Sequence, residues 1–240
     1  MLISRKAPLF AVRKPFVAKR GAAGLTLIDV AVLLAVIAVL AALLLPALRK
    51  AGKNRWIGCF SNLKQVSLSF SLFANEHDGR FPMQVSTNQS GTMELLQPDV
   101  VVPHFVALSN ILGSPKVLAC YRDTNRTRAL RFEELSSRNV SYLINADADM
   151  PNANQLLVSD DHLLSDSVST SGFMAIKSDS KLRWADGRHF ESGTFTTRPK
   201  GQVAFVDGSA RRIGNEELVE YAKRLEGATN RFLKSTPPVK

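Results

Sequence analysis

Between Val30 and Leu48 the chain runs for nineteen residues without a charged side chain, VAVLLAVIAVLAALLLPAL, and with one helix breaker, Pro46. As a helix this run rises about 28 Å, close to the hydrocarbon thickness of a bilayer. A helix that is apolar on every side finds no favourable place in water, so lipid or other protein must surround it. The run therefore predicts a transmembrane helix over residues 25–48, with the rest of the chain carried on it.

What flanks the run sharpens this. The first 24 residues hold six basic side chains (Arg5, Lys6, Arg13, Lys14, Lys19, Arg20) and no acid. They include Pro8 and Pro15 and show no helical period, so residues 1–24 read as a basic leader kept on the cytoplasmic side. The formal charge of +10 is mostly this leader. The remainder has 25 basic and 21 acidic residues, an ordinary balance that speaks against nucleic acid as a partner. A secretory signal would place small residues after a shorter apolar core. Here Gly21-Ala-Ala-Gly24 precedes a long one.

After the run the pattern becomes amphipathic. Trp56, Cys59, Phe60, Leu63, Val66, Phe70 and Phe73 recur at helical spacing, with Lys53, Arg55, Lys64 and Gln65 between them. This predicts that the apolar helix continues over residues 49–76 and ends near Gly79, ahead of Pro82. Beyond, short apolar runs predict strands over Lys116–Cys120, Val140–Ile144, Gln155–Val158, Gln202–Val206 and Ala210–Ile213. Asp207-Gly208 predicts a type I′ hairpin between the last two. Segments 84–92, 145–154 and 165–172 are rich in Ser, Asn, Asp and Thr and read as loops. Glu216–Leu225 reads as a short amphipathic helix, and the chain after Arg231 as a frayed tail. Cys59 and Cys120 suit one disulfide in an oxidising compartment, or two buried thiols; the sequence leaves both open.

Gly24-Leu25-Thr26-Leu27-Ile28-Asp29 resembles the processing motif of type IV prepilins and type II secretion pseudopilins. In that family a prepilin peptidase cuts after the glycine and methylates the new terminal amine. The resemblance assigns the cut to Gly24 and N-methylation to Leu25, where the family usually has phenylalanine. Asp29 stands at the fifth mature position, usually glutamate, and Pro46 at the twenty-second, often proline. It implies that Asp29 meets the terminal amine of a neighbouring subunit during assembly. Thr26-x-x-Asp29 is also a helix capping box, which accounts for the acid locally but not for Gly24, the leader and Pro46 together. Cys59-x-x-Asn62-Leu63-Lys64-Gln65 and Gly79-Arg80-Phe81-Pro82 resemble the pseudopilin-like proteins abundant in planctomycetes and their relatives. Those proteins also carry a second cysteine, matched by Cys120, and a histidine nine residues before Asp-Gly. Asp207-Gly208 fits that end; His189 lies eighteen residues before Asp207 and departs from the spacing.

The fold this implies is α+β and pilin-like. A long transmembrane-then-amphipathic helix packs on a small antiparallel β-sheet domain, periplasmic over residues 77–232, with a flexible tail at 233–240. The function implied is a structural subunit, not an enzyme, assembled into a pseudopilus or short filament for type II-like secretion. Its partners would be the prepilin peptidase, membrane lipid of the inner membrane and other pilin-like subunits met through the amino-terminal helix. One rival is a single-pass membrane-anchored periplasmic ligand-binding protein that does not assemble. Another is an exported hydrolase using Asp160-Asp161-His162 and Asp186-Gly-Arg-His189. Neither histidine cluster has ligand spacing on a helix, so no metal, cofactor or catalytic residue is assigned. Asp78-Gly79 and the loop acids recommend calcium only weakly, because the alternating carboxylates of a twelve-residue calcium loop are missing. No phosphate-cradling glycine motif or nucleophile elbow occurs.

Overall fold

The computed structural model describes residues 26–51, 55–168, 173–185, 199–225 and 229–234. The chain divides into two compact units, Met1–Leu48 and Arg49–Lys240. Helix α1 runs over Leu27–Ala51, and its side chains are described as far as Leu43. Helix α2 is described over Arg55–Glu76.

This corrects the expected transmembrane-then-amphipathic helix. Among the described residues no helix is long and apolar enough to cross a membrane. Residues 52–54, across which one continuous helix was expected, lie outside the described residues.

The second unit is built on α2. Its apolar stripe, Cys59, Leu63, Val66, Phe70 and Phe73, is buried as the 3.6-residue period demands, while Leu68 and Leu72 on the far side stay exposed. The helix stops where the sequence puts Gly79, but Asp78 shares the work. Asp78 (φ 54°) and Gly79 (φ 78°) both turn left-handed. The Gly79 N–H then donates to the Ala74 carbonyl at 2.8 Å, a helix-closing bond. Short 3-10 turns follow, then two short helices, α3 (Val102–Val106) and α4 (Ser109–Leu112).

Lys116–Cys120, expected as a strand, is instead a 3-10 helix over Pro115–Leu118. Ser114 caps it through its side chain and Pro115 fixes the first helical φ, so Ser-Pro outweighs the apolar run behind it.

The strands are β1 (Tyr142–Asn145), β2 (Leu156–Asp160), β3 (Leu163–Leu164), β4 (Ser167–Val168), β5 (Met174–Ile176), β6 (Arg183–Trp184), β7 (Lys200–Phe205), β8 (Ala210–Gly214) and β9 (Asn230–Leu233). Seven form one antiparallel sheet in the order β4-β5-β9-β1-β2-β7-β8, and β3 pairs with β6 apart from it. Helix α5 (Asn215–Lys223) follows β8 directly.

The central strands β1 and β2 are buried at every residue, on both faces, and this is where their apolar stretches Tyr142–Ile144 and Leu156–Val158 go. Alternation still sorts their side chains. Tyr142 and Ile144 join the core that holds the α2 stripe, whereas Leu143 joins the core that holds Leu218 and Ala222 of α5. Val203 and Phe205 of β7 go with α5; Ala204 goes with α2. Gly201 of β7 is fixed by close approach, since a Cβ there would lie 2.4 Å from the Trp184 ring.

Three further expectations change. The Asp207-Gly208 turn is not type I′, because Gly208 (φ 79°) alone takes positive φ. The Gly208 N–H donates to the Phe205 carbonyl and the Phe205 N–H to the Ser209 carbonyl, closing a three-residue loop with its glycine left-handed. Segment 165–172 is not all loop, because Ser167–Val168 form β4. Of the tail expected after Arg231, residues 235–240 lie outside the described residues, and Phe232 and Leu233 belong to β9, lodged between β5 and β1. Asp147 holds it there: its carboxylate accepts from the Arg231 backbone N–H at 2.7 Å and from the Arg231 Nε at 3.0 Å.

Candidate functional site

The start of α1 carries the residues the sequence singled out. The Thr26 backbone N–H and hydroxyl donate to Asp29 Oδ2 at 2.9 and 2.8 Å, and the Asp29 N–H donates to Thr26 Oγ1 at 3.2 Å. This is a reciprocal capping box, satisfying donors that a helix start otherwise leaves open. Gly24 and Leu25, the expected cleavage and methylation positions, lie outside the described residues, as does His189. Pro46 falls within α1, at a position whose side chain is not described.

Past the cap, every side chain from Leu27 to Leu43 is exposed. Leu27, Ile28, Val32, Leu33, Leu34 and Val39 each show more than half their surface. Such an uninterrupted apolar surface far exceeds the scattered hydrophobic residues of an ordinary exterior and marks a contact surface. It offers no nucleophile, acid or base among the described positions beyond Asp29. What it can do is take up apolar neighbours.

In the second unit the two cysteines form a disulfide, Cys59–Cys120, with Cα atoms 5.0 Å apart. It joins α2 to the end of the 3-10 helix. Around it lies a buried polar network that sequence reasoning missed. The Cys120 N–H donates to Ser141 Oγ at 3.1 Å, and Ser141 donates to Asp123 Oδ2 at 3.0 Å. Arg126, nearly inaccessible, donates through Nη2 to Asp161 Oδ2 at 2.6 Å and lies 3.7 Å from Asp123 Oδ2. It also donates to the Ser137 carbonyl. The buried Tyr142 phenol is pushed well above its usual range by burial, then by the carboxylates of Asp160, Asp161 and Asp123. In the sequence no periodicity distinguishes Arg126 from the other arginines of the 122–131 run. Only the pairing does.

Of the hydrolase residues, Asp186 and His189 lie outside the described residues. Asp160 accepts from the Gln202 backbone N–H at 2.7 Å, Asp161 faces Arg126, and His162 lies against Trp184 with ring centroids 5.1 Å apart. All three are buried and committed to the fold. Asp78, named with calcium, lies 3.6 Å from Arg80. Among the described residues no group of three His, Cys, Asp or Glu side chains converges as a metal site. His104, fully buried on α3, has its Nδ1 2.6 Å from Thr92 Oγ1. Burial, opposed by the Val100 backbone, lowers its pKa to about 4.

Compared with known proteins, the chain matches no family model, no curated protein and no solved structure.

Proposed function

We propose that the chain is a pilin-like structural subunit, cut after Gly24, N-methylated at Leu25 and assembled through its amino-terminal helix. The observation that carries this is α1 itself: a capped helix whose described side chains beyond Asp29 are apolar and exposed throughout. Lipid of the inner membrane covers that surface before assembly, and neighbouring copies cover it afterwards. The prepilin peptidase is the processing partner, and the globular unit stands on the periplasmic side, where the Cys59–Cys120 bridge persists. The capping box gives Asp29 a local task and leaves its carboxylate exposed for the incoming terminal amine of the next subunit. The resulting pseudopilus or short filament serves a type II-like secretion apparatus.

The experiment is mass spectrometry of the protein extracted from membranes. A mature chain starting at N-methyl-Leu25 supports the reading, and Gly24→Ala should leave the leader attached, because a β-carbon there obstructs the peptidase. A wild-type chain that keeps its original start overturns it.

A further inference from the structure

Beside α5 and the β7–β8 hairpin lies a cavity of about 350 Å³ to which neither assembly nor processing gives a use. Its base is a built polar device. Gln155 spends its whole amide inside the protein: Oε1 accepts from the Asp149 N–H at 2.9 Å, and Nε2 donates to the Asp147 carbonyl at 2.9 Å and to Asn230 Oδ1. Asn145 Nδ2 donates to the same Asn230 oxygen at 3.1 Å. Two donors on one oxygen fix which way the Asn230 amide is turned. Its –NH2 makes no hydrogen bond among the described residues, although Asn230 is only 2% exposed and lines the cavity. Tyr221 is a second donor, since its hydroxyl accepts from the Leu156 N–H at 3.0 Å and keeps its own hydrogen to give. Burial raises the Tyr221 pKa to about 12, so that hydrogen stays in place at any physiological pH.

The rim balances charge. Arg211 lies over the Phe205 ring, 4.4 Å from its centroid, and Arg224 pairs with Glu220. Glu217 accepts the Gly214 N–H at 2.8 Å through one oxygen. Two arginines and two glutamates on one wall disfavour a strongly anionic or cationic ligand, and an apolar one would leave the buried donors unmatched. A neutral molecule dense in hydroxyl groups suits the lining, because each hydroxyl both gives and takes hydrogen bonds and the C–H faces of its ring can lie on Tyr221. The volume is at the small end of ligand cavities, enough for one or two sugar rings.

We propose that this cavity binds a neutral saccharide of one or two rings, with the Asn230 amide and the Tyr221 hydroxyl donating to its oxygens. The site lies wholly in the globular unit and stands whether or not the chain assembles. The test is calorimetric titration of the full chain in detergent with glucose, N-acetylglucosamine and maltose, with citrate and glutamate as charged controls. Saturable binding of at least one sugar is expected. Asn230→Asp keeps the oxygen that Asn145 and Gln155 need but replaces the donor with an acceptor, and should weaken binding about tenfold. Tyr221→Phe should weaken it severalfold, and carries the test alone if Asn230→Asp does not fold. Failure of all three sugars to bind overturns the proposal. So does binding of the charged controls alone, or sugar binding that both folded variants retain at full strength.

Discussion

Helix α1 leaves Leu33, Val36, Ile37 and Leu40 half exposed or more, whereas α2, of similar length, buries Leu63, Val66 and Phe70 completely. The difference lies in what separates the apolar residues. Along α2, polar side chains such as Asn62, Lys64 and Gln65 interrupt the stripe and leave one face to lie on the sheet; along α1 nothing interrupts it. The α2 stripe is therefore stabilised by contacts inside its own unit, while the α1 surface must find its stabilisation in other molecules. One chain thus contains a self-sufficient unit and one defined by what it lacks.

The harshest way to break this comparison is to remove β9. Truncation before Asn230 withdraws the strand that joins β5 to β1, and the second unit should lose cooperative unfolding altogether, read by near-ultraviolet dichroism, while the helicity of α1 in detergent persists. Next comes the Cys59→Ser, Cys120→Ser pair. The bridge closes a 61-residue span, so its loss should cost about 4 kcal/mol in chemical denaturation, again in the second unit alone. His104 follows. With a folded pKa of about 4 against about 6.5 unfolded, the unfolded state binds the proton first. The stability that neutral His104 permits is complete above pH 6.5 and is lost as pH falls towards 4, a decline of about 3 kcal/mol. His104→Asn should flatten urea-midpoint titrations across that window. The smallest effect on stability belongs to α1. Val36→Lys should shift unfolding of the second unit by less than about 0.5 kcal/mol, yet abolish co-purifying oligomers and membrane retention. A large loss of stability from that exposed change would erase the distinction between the units.

The same contrast explains what was legible beforehand. Periodicity announced α2, because a helix that buries one face writes that face into its sequence. The runs behind β1, β2, β7 and β8 were visible for the same reason, to within a few residues. Lys116–Cys120 does not declare its form, because a short apolar run does not distinguish a strand from a turn of 3-10 helix, and Ser114-Pro115 carries the deciding signal. β9 was invisible because Asn230-Arg-Phe-Leu233 owes its place to Asp147, more than eighty residues earlier. The cavity is hidden likewise, since Asn145, Gln155, Tyr221 and Asn230 meet only through the sheet. At the helix start, Thr26 and Asp29 could be paired from spacing, because capping is a local matter.

The place of β9 also has a consequence in time. Among the described strands the one furthest along the sequence sits inside the sheet, so β4 and β5 cannot join β1 and β2 until residues 230–233 have arrived. A chain emerging from a ribosome can form its halves but cannot lock them, because the keystone is set late.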